Sequence, residues 1–219
     1  MHFAPRRRLV IAVLVVTLAL LVLAGFGVYG LLVGPAPASR SAQGGTASAS
    51  PLTPNESAPV GRPQAIAETS EPELFARAVA RAVIGWDTRG ASGTSEWAQV
   101  IVDVADPDQG AAVATDVRSA LPAEELWRQL GDYGTRQWLE FDAVTVPSSW
   151  STAVAQAAQG QIPPDAAAFT ISGIRHREGT WNSETVRTDR PIAFTVFVTC
   201  PHEQPCMLLR ISQLDHPLD

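Results

Sequence analysis

The sequence predicts an α+β domain carried outside a membrane on a single anchor. Three observations predict it. Residues 9–33 are one uninterrupted apolar run. Residues 34–69 are dominated by Ala, Ser, Gly, Pro and Thr with no apolar periodicity. From residue 70 onward, segments with helical apolar spacing give way to segments that alternate. Helices followed by strands indicate an α+β fold.

The apolar run, Leu9 to Val33, contains no charged residue. At about 1.5 Å per residue, roughly 20 such residues cross a hydrocarbon core of about 30 Å, and tilt absorbs the excess. Arg6, Arg7 and Arg8 precede the run, and the next basic residue is Arg40. The positive-inside rule therefore places residues 1–8 in the cytoplasm and the C-terminal portion outside the cell membrane. A cleaved signal peptide is the competing reading, because Ala36-Pro37-Ala38 gives an A-x-A pattern. The run exceeds the roughly 7–15 residues of a signal h-region, and proline inside the A-x-A is a poor cleavage context. Residues 34–69 read as a tether, stiffened locally by its prolines.

The domain is expected to begin at residue 70. In SEPELFARAVARAVIGW, Ser70 is placed to cap a helix, with Pro72 and the acids Glu71 and Glu73 in its first turn. Leu74, Phe75, Ala78, Val79, Ala82, Val83 and Trp86 follow at helical spacing. The helix is expected to end between Gly85 and Asp87, before a loop at Arg89-Gly90 and Ser92-Gly93. TSEWAQVIVDVADPD reads as a short helix capped by Thr94 or Ser95, although its Val-Ile-Val run also fits a strand. DPDQGAAVATDVRSAL offers Asp106 as cap and Pro107 at the first helical position. PAEELWRQLGDYG repeats that start signal at Pro122.

The pattern then changes. QWLEFDAVTV (137–146) alternates, and SSWSTAVAQAAQ reads as a short helix capped by Ser148 or Ser149. AAFTISGIRHRE (167–178) alternates again, and GTWNSETVRTDR (179–190) reads as a polar, turn-prone stretch. PIAFTVFVTC (191–200) and CMLLRISQL (206–214) alternate on either side of a short loop and predict an antiparallel hairpin. The count is four strands.

Composition bounds function. All 16 basic residues are arginine, which fits a high-GC bacterial genome such as an actinobacterial one, and the formal charge is −6. A net acidic domain gains no electrostatic help toward nucleic acid or anionic lipid, and the totals give no hint of a basic stripe. Nucleophile-elbow, zincin, phosphate-loop and EF-hand signatures are all absent from the sequence. His176-Arg177-Glu178 and Pro205-Cys206 do not complete a zinc deaminase pattern, since no second cysteine follows Cys206 at the required spacing. No cofactor and no metal site is expected.

Three features carry what remains. The chain's cysteines, Cys200 and Cys206, sit at the mouth of the last hairpin, on the oxidising side of the membrane. They are expected to form a disulfide with Cα atoms about 5.5–6 Å apart. A metal would need ligands beyond Cys200, His202 and Cys206, and redox catalysis uses C-x-x-C. His176 with Glu140 or Asp142 is the one acid–base pair a strand cavity could assemble. In its RHRE context, however, His176 reads as a solvated rim residue, and Glu140 and Asp142, alternating with Leu139 and Phe141, read as wet-face positions. Of the six tryptophans, Trp181 in GTWN is the one expected to be exposed and available to a partner.

The anchor Leu9–Val33, the helix EPELFARAVARAVIGWDT, the unit PAEELWRQLGDYGTRQWLEFDAVTV and the closing strands FTVFVTC and CMLLRISQL together resemble a known plan. It is the membrane-anchored form of the cystatin-like, nuclear-transport-factor-2-like α+β cone. The similarity is to bitopic conjugation proteins of type IV secretion systems, including the TcpC-type proteins of Gram-positive bacteria. Those often carry two such domains, and this chain has room for one. The resemblance implies helices on a curved four-stranded antiparallel sheet. It also implies a non-catalytic assembly module that contacts other envelope-complex proteins or a second copy of itself, with no direct role for nucleic acid. Accessory proteins of lipid-import systems share the layout and give one alternative. An extracellular cone-fold enzyme using His176 and a carboxylate gives the other.

Overall fold

The computed structural model describes residues 60–219. The cytoplasmic tail expected over 1–8, the anchor expected over 9–33 and residues 34–59 of the expected tether lie outside the described residues. Among the described residues, no helix is long and apolar enough to cross a membrane.

Residues 60–69, which by composition are the end of the tether, lie against the domain. Gly61, at φ 71°, crosses Gly90 backbone to backbone: a Cβ on Gly61 would fall 2.1 Å from the Gly90 nitrogen. Ile66 packs on the core, and the Thr69 carbonyl accepts a hydrogen bond from the Cys206 N–H at 2.8 Å. This strap binds mainly through backbone and small side chains, so composition alone gives it the look of a linker.

Helix α1, Pro72–Ile84, opens with proline in its first turn and buries Phe75, Ala76, Val79, Ala80, Val83 and Ile84. Ser70 does not cap it. The N-cap position is Glu71, whose N–H donates to Thr69 Oγ1 at 3.1 Å. Leu74, expected on the buried face, is 59% exposed. Strand β1, Trp86–Asp87, pairs with the next strand at Gln137 and Arg136. It is the strand that the sequence does not announce, because two residues carry no alternation and Trp86 also suits the end of α1.

Helix α2, Thr94–Val102, settles the helix-or-strand ambiguity as helix. Gly93 occupies its N-cap, and Glu96 reaches back to accept the Gly93 N–H at 2.9 Å. Helix α3, Gly110–Ala120, starts later than Asp106–Pro107. There the Asp106 side chain accepts the Asp108 N–H at 2.9 Å and forms a local turn instead of a cap. Helix α4 is Glu124–Asp132. The helices bring Trp127 against Trp86 and Trp97, with ring centroids 5.5 and 6.3 Å away.

Strands β2 (Arg136–Thr145), β3 (Ala166–Trp181), β4 (Glu184–Thr199) and β5 (Met207–Ile211) complete an antiparallel sheet in the order β1-β2-β3-β4-β5. The α+β class is as expected, with a curled sheet of five strands in place of four. The stretch 179–190, expected to be a loop, continues the β3–β4 ladder on both sides of a two-residue turn. Asn182 and Ser183 lie at φ 49° and 68°, the left-handed pair of a tight hairpin turn. Residues 184–191 are exposed throughout, so no buried face imposes an apolar alternation on them.

One face of the sheet packs against α1 through Ile171, Ile192, Phe194 and Val196, all within the core. On the other face helix α5, Trp150–Gln156, sets Trp150 on Phe197 with ring centroids 5.8 Å apart. The C-terminal tail crosses that face, where Thr195 Oγ1 accepts the Leu218 N–H at 2.8 Å. Gly173 lets β2 come close at its bulge: a Cβ there would sit 2.1 Å from the Glu140 carbonyl oxygen. Cys200 and Cys206 form the disulfide predicted for the β4–β5 loop, with Cα atoms 4.1 Å apart, nearer than expected.

Candidate functional site

The β3–β4 hairpin outruns its neighbours, and its register sorts residues onto two faces. Across β2, β3 and β4, the rows Arg136–Glu178–Arg187 and Trp138–His176–Asp189 project from the outer face. The rows Gln137–Arg177–Thr188 and Leu139–Arg175–Arg190 project from the inner face, the one that α1 covers farther along.

The outer face holds a histidine centre. His176 is 5% exposed, which corrects its reading as a rim residue. The Trp138 ring stacks on it at 5.1 Å and 25°, and Arg136 and Arg187 lie over Trp138 at 4.8 and 5.1 Å. His176 Nδ1 is 2.6 Å from Asp189 Oδ1, and Nε2 is 2.9 Å from Glu140 Oε2. Arg187 Nη2 also approaches Nδ1, at 2.8 Å, while Arg187 Nε donates to Asp189 at 3.0 Å. Nδ1 cannot both accept from a guanidinium and donate to a carboxylate. Asp189, bonded to both, is the partner that satisfies both donors. The hydrogen bonds from His176 and then Arg187 hold the Asp189 carboxyl below the usual aspartate range.

The sequence pairs His176 with Glu140 or Asp142. Glu140 is in contact; Asp142 sits in the β2 bulge, exposed and out of register. Asp189 escapes sequence reasoning because it falls in the stretch that looks like a loop. Counting outward from a two-residue Asn182-Ser183 turn would have placed it opposite His176. A general base needs a ring nitrogen aimed at its substrate. Here each nitrogen faces a carboxylate of the protein and the ring lies under Trp138, so the group fastens three strands together. The carboxylates lie on opposite sides of the ring and share no focal point. Among the described residues no group of three or more His, Cys, Asp or Glu could hold a metal ion.

The inner face is built differently. Arg177 donates to Gln137 Oε1 at 2.7 and 3.1 Å and lies 5.2 Å from the Trp86 ring. Burial, then the nearby Arg175 and Arg190, lowers the pKa of its guanidinium. Arg175 and Arg190 are direct cross-strand neighbours. None of the three forms an ion pair among the described residues. Farther out, Trp181 is 56% exposed and Val186 50% exposed, with the Tyr133 ring 5.4 Å from that of Trp181. The exposure predicted for Trp181 is thus observed.

A separate open cleft of about 640 Å³ lies between the strap, α1 and β2. Ile66, Trp86, Trp97 and Leu139 are among its apolar lining residues. Asp87 is its one acid, held below the ordinary aspartate pKa because hydrogen bonds from Arg89 outweigh the opposing effect of burial. His176 does not line this cleft. No family model, curated protein or solved structure matches the chain.

Proposed function

We propose that the chain is a single-pass cell-membrane protein, N-terminus inside, whose outer domain is a non-catalytic binding and assembly module. Its setting is an envelope complex of the conjugative or type IV secretion-like kind, and its partners are other proteins of that complex. The observation that carries this reading is the projecting β3–β4 hairpin, with Trp181 and Val186 exposed at its end. A strand pair extended beyond its own core, tipped by an exposed aromatic residue, is a contact element. The non-catalytic part is supported by the enclosed geometry of His176 and by an interior filled with Phe75, Phe194, Ile84 and Ile171.

The test is a photocrosslinking residue in place of Trp181 in the full chain, in its native membrane. Discrete adducts with envelope proteins are expected, and none from the same probe at Ser119 on α3. Identical labelling from both positions, or turnover of a small molecule by the purified chain, would overturn the reading. The cleft favours a second reading, an accessory protein of lipid import, because Ile66, Trp97 and Leu139 line it together with Arg62, Arg81 and Arg136. Lipid co-purifying with the chain and displaced by Ala82→Trp would support that alternative.

A further inference from the structure

We infer that the inner face of the β3–β4 hairpin is a docking surface for anionic phospholipid headgroups, with Arg175, Arg177 and Arg190 as the binding residues. The inference rests on the anchored reading above and names what one face of the contact element touches.

Counter-charge is missing from this face although the domain has plenty of it. Residues 60–219 hold 12 arginines against 21 acidic side chains, a net of −9, so carboxylates are abundant. On the outer face of this hairpin they are used: Arg136 meets Glu178 at 3.0 Å and Arg187 meets Asp189 at 3.0 Å. On the inner face of the same strands, three guanidiniums gather without one. Like charges directly opposite each other on a sheet oppose folding, yet Arg175 and Arg190 are placed that way. The acid that shares this hairpin face is Glu184, six residues beyond Arg190 along β4, or about 20 Å at a strand's rise of roughly 3.3 Å per residue. Compensation is left to an anion from outside, and guanidinium forks suit phosphate oxygens.

The tether selects the anion. With residues 9–33 in a bilayer, the intervening 34–59 reach at most about 90 Å, at roughly 3.5 Å per residue. The domain then stays within about 90 Å of a dense array of phospholipid phosphates. Face-down contact through the three arginines would lay the hairpin along the bilayer. Trp181, four residues past Arg177, would then reach partners embedded in the same membrane.

The test uses the full chain in nanodiscs, with a nitroxide on Thr188→Cys, a position exposed between the arginines. The native cysteines are both in the disulfide, so the introduced thiol is the one to label. The readout is protection from a water-soluble relaxation agent. Protection is expected in discs containing phosphatidylglycerol and not in phosphatidylcholine alone, with release by sodium chloride. At roughly five-fold in surface partition per arginine, Arg175→Gln with Arg177→Gln and Arg190→Gln should weaken docking about a hundred-fold. Arg187→Gln on the outer face should leave it intact. If the triple variant does not fold, the salt response of the unsubstituted chain tests the same point, and protection that survives high salt overturns the docking. Equal exposure in both discs, with the chain still co-eluting with them, overturns the docking and spares the anchor. A chain that does not co-elute with discs overturns the anchor and the docking with it. Release by inorganic phosphate at matched ionic strength would reassign the face to a soluble phosphate ligand, and protection by an oligonucleotide in neutral discs to nucleic acid; either overturns the lipid assignment.

Discussion

The two faces of the β3–β4 hairpin share a backbone, a register and a taste for arginine, and differ in what the arginines meet. Outside, Arg136 and Arg187 are matched to Glu178 and Asp189 and capped by Trp138, with His176 shut between Asp189 and Glu140. Inside, Arg175, Arg177 and Arg190 answer only to Gln137, to an aromatic ring and to one another. One face closes its electrostatics within the chain and contributes to holding the strands together. The other leaves three guanidiniums without a carboxylate partner among the described residues.

The largest way to break this contrast is to separate the strands that support both faces. Gly173→Ala would put a methyl group 2.1 Å from the Glu140 carbonyl oxygen. It is expected to destabilise the domain by about 3 kcal/mol through overpacking, read by urea denaturation. Next is the outer face alone. His176→Ala removes a buried ring and two hydrogen bonds to half-exposed carboxylates, and a loss of about 1–2 kcal/mol is expected by the same measurement.

A smaller effect separates the faces by pH. Asp189 is held below its ordinary value of 3.8 in the folded protein. Its pairing therefore stabilises fully above that unfolded value and is lost as pH falls through the lower, folded one. The difference in denaturation midpoint between the native chain and Asp189→Asn should shrink as pH falls from about 5 toward 3. The smallest effect is expected inside. Arg175→Gln or Arg190→Gln relieves like-charge opposition and should change stability by no more than about 0.3 kcal/mol, upward, while altering lipid contact. A large loss there would show that the inner arginines also hold the fold.

The legibility of these features follows burial. Helix α1 is readable because one of its faces is wholly internal, and the β4–β5 hairpin because Ile192, Phe194, Val196 and Val198 recur at every second position on the face packed into the core. The disulfide follows from that hairpin. The hairpin wing is not readable because both of its surfaces are wet along 184–191, so Thr185, Arg187 and Asp189 look like loop residues. The His176 centre is hidden for the same reason: two of the groups at its ring, Arg187 and Asp189, stand in that stretch. Trp181 is correctly singled out as exposed because it sits beside a turn signal.

The strap also has a mechanical meaning. Tension arriving at residue 60 meets the Gly61–Gly90 backbone crossing first, then runs along the extended residues to Thr69. There the Thr69 carbonyl is held by the N–H of Cys206, inside the loop closed by the Cys200–Cys206 bond. Pulling would peel a peripheral segment against a covalently closed anchor point before loading α1 and the core. Under a pull at residue 60 the strap would therefore be loaded first, and α1 and the core only after it had come away.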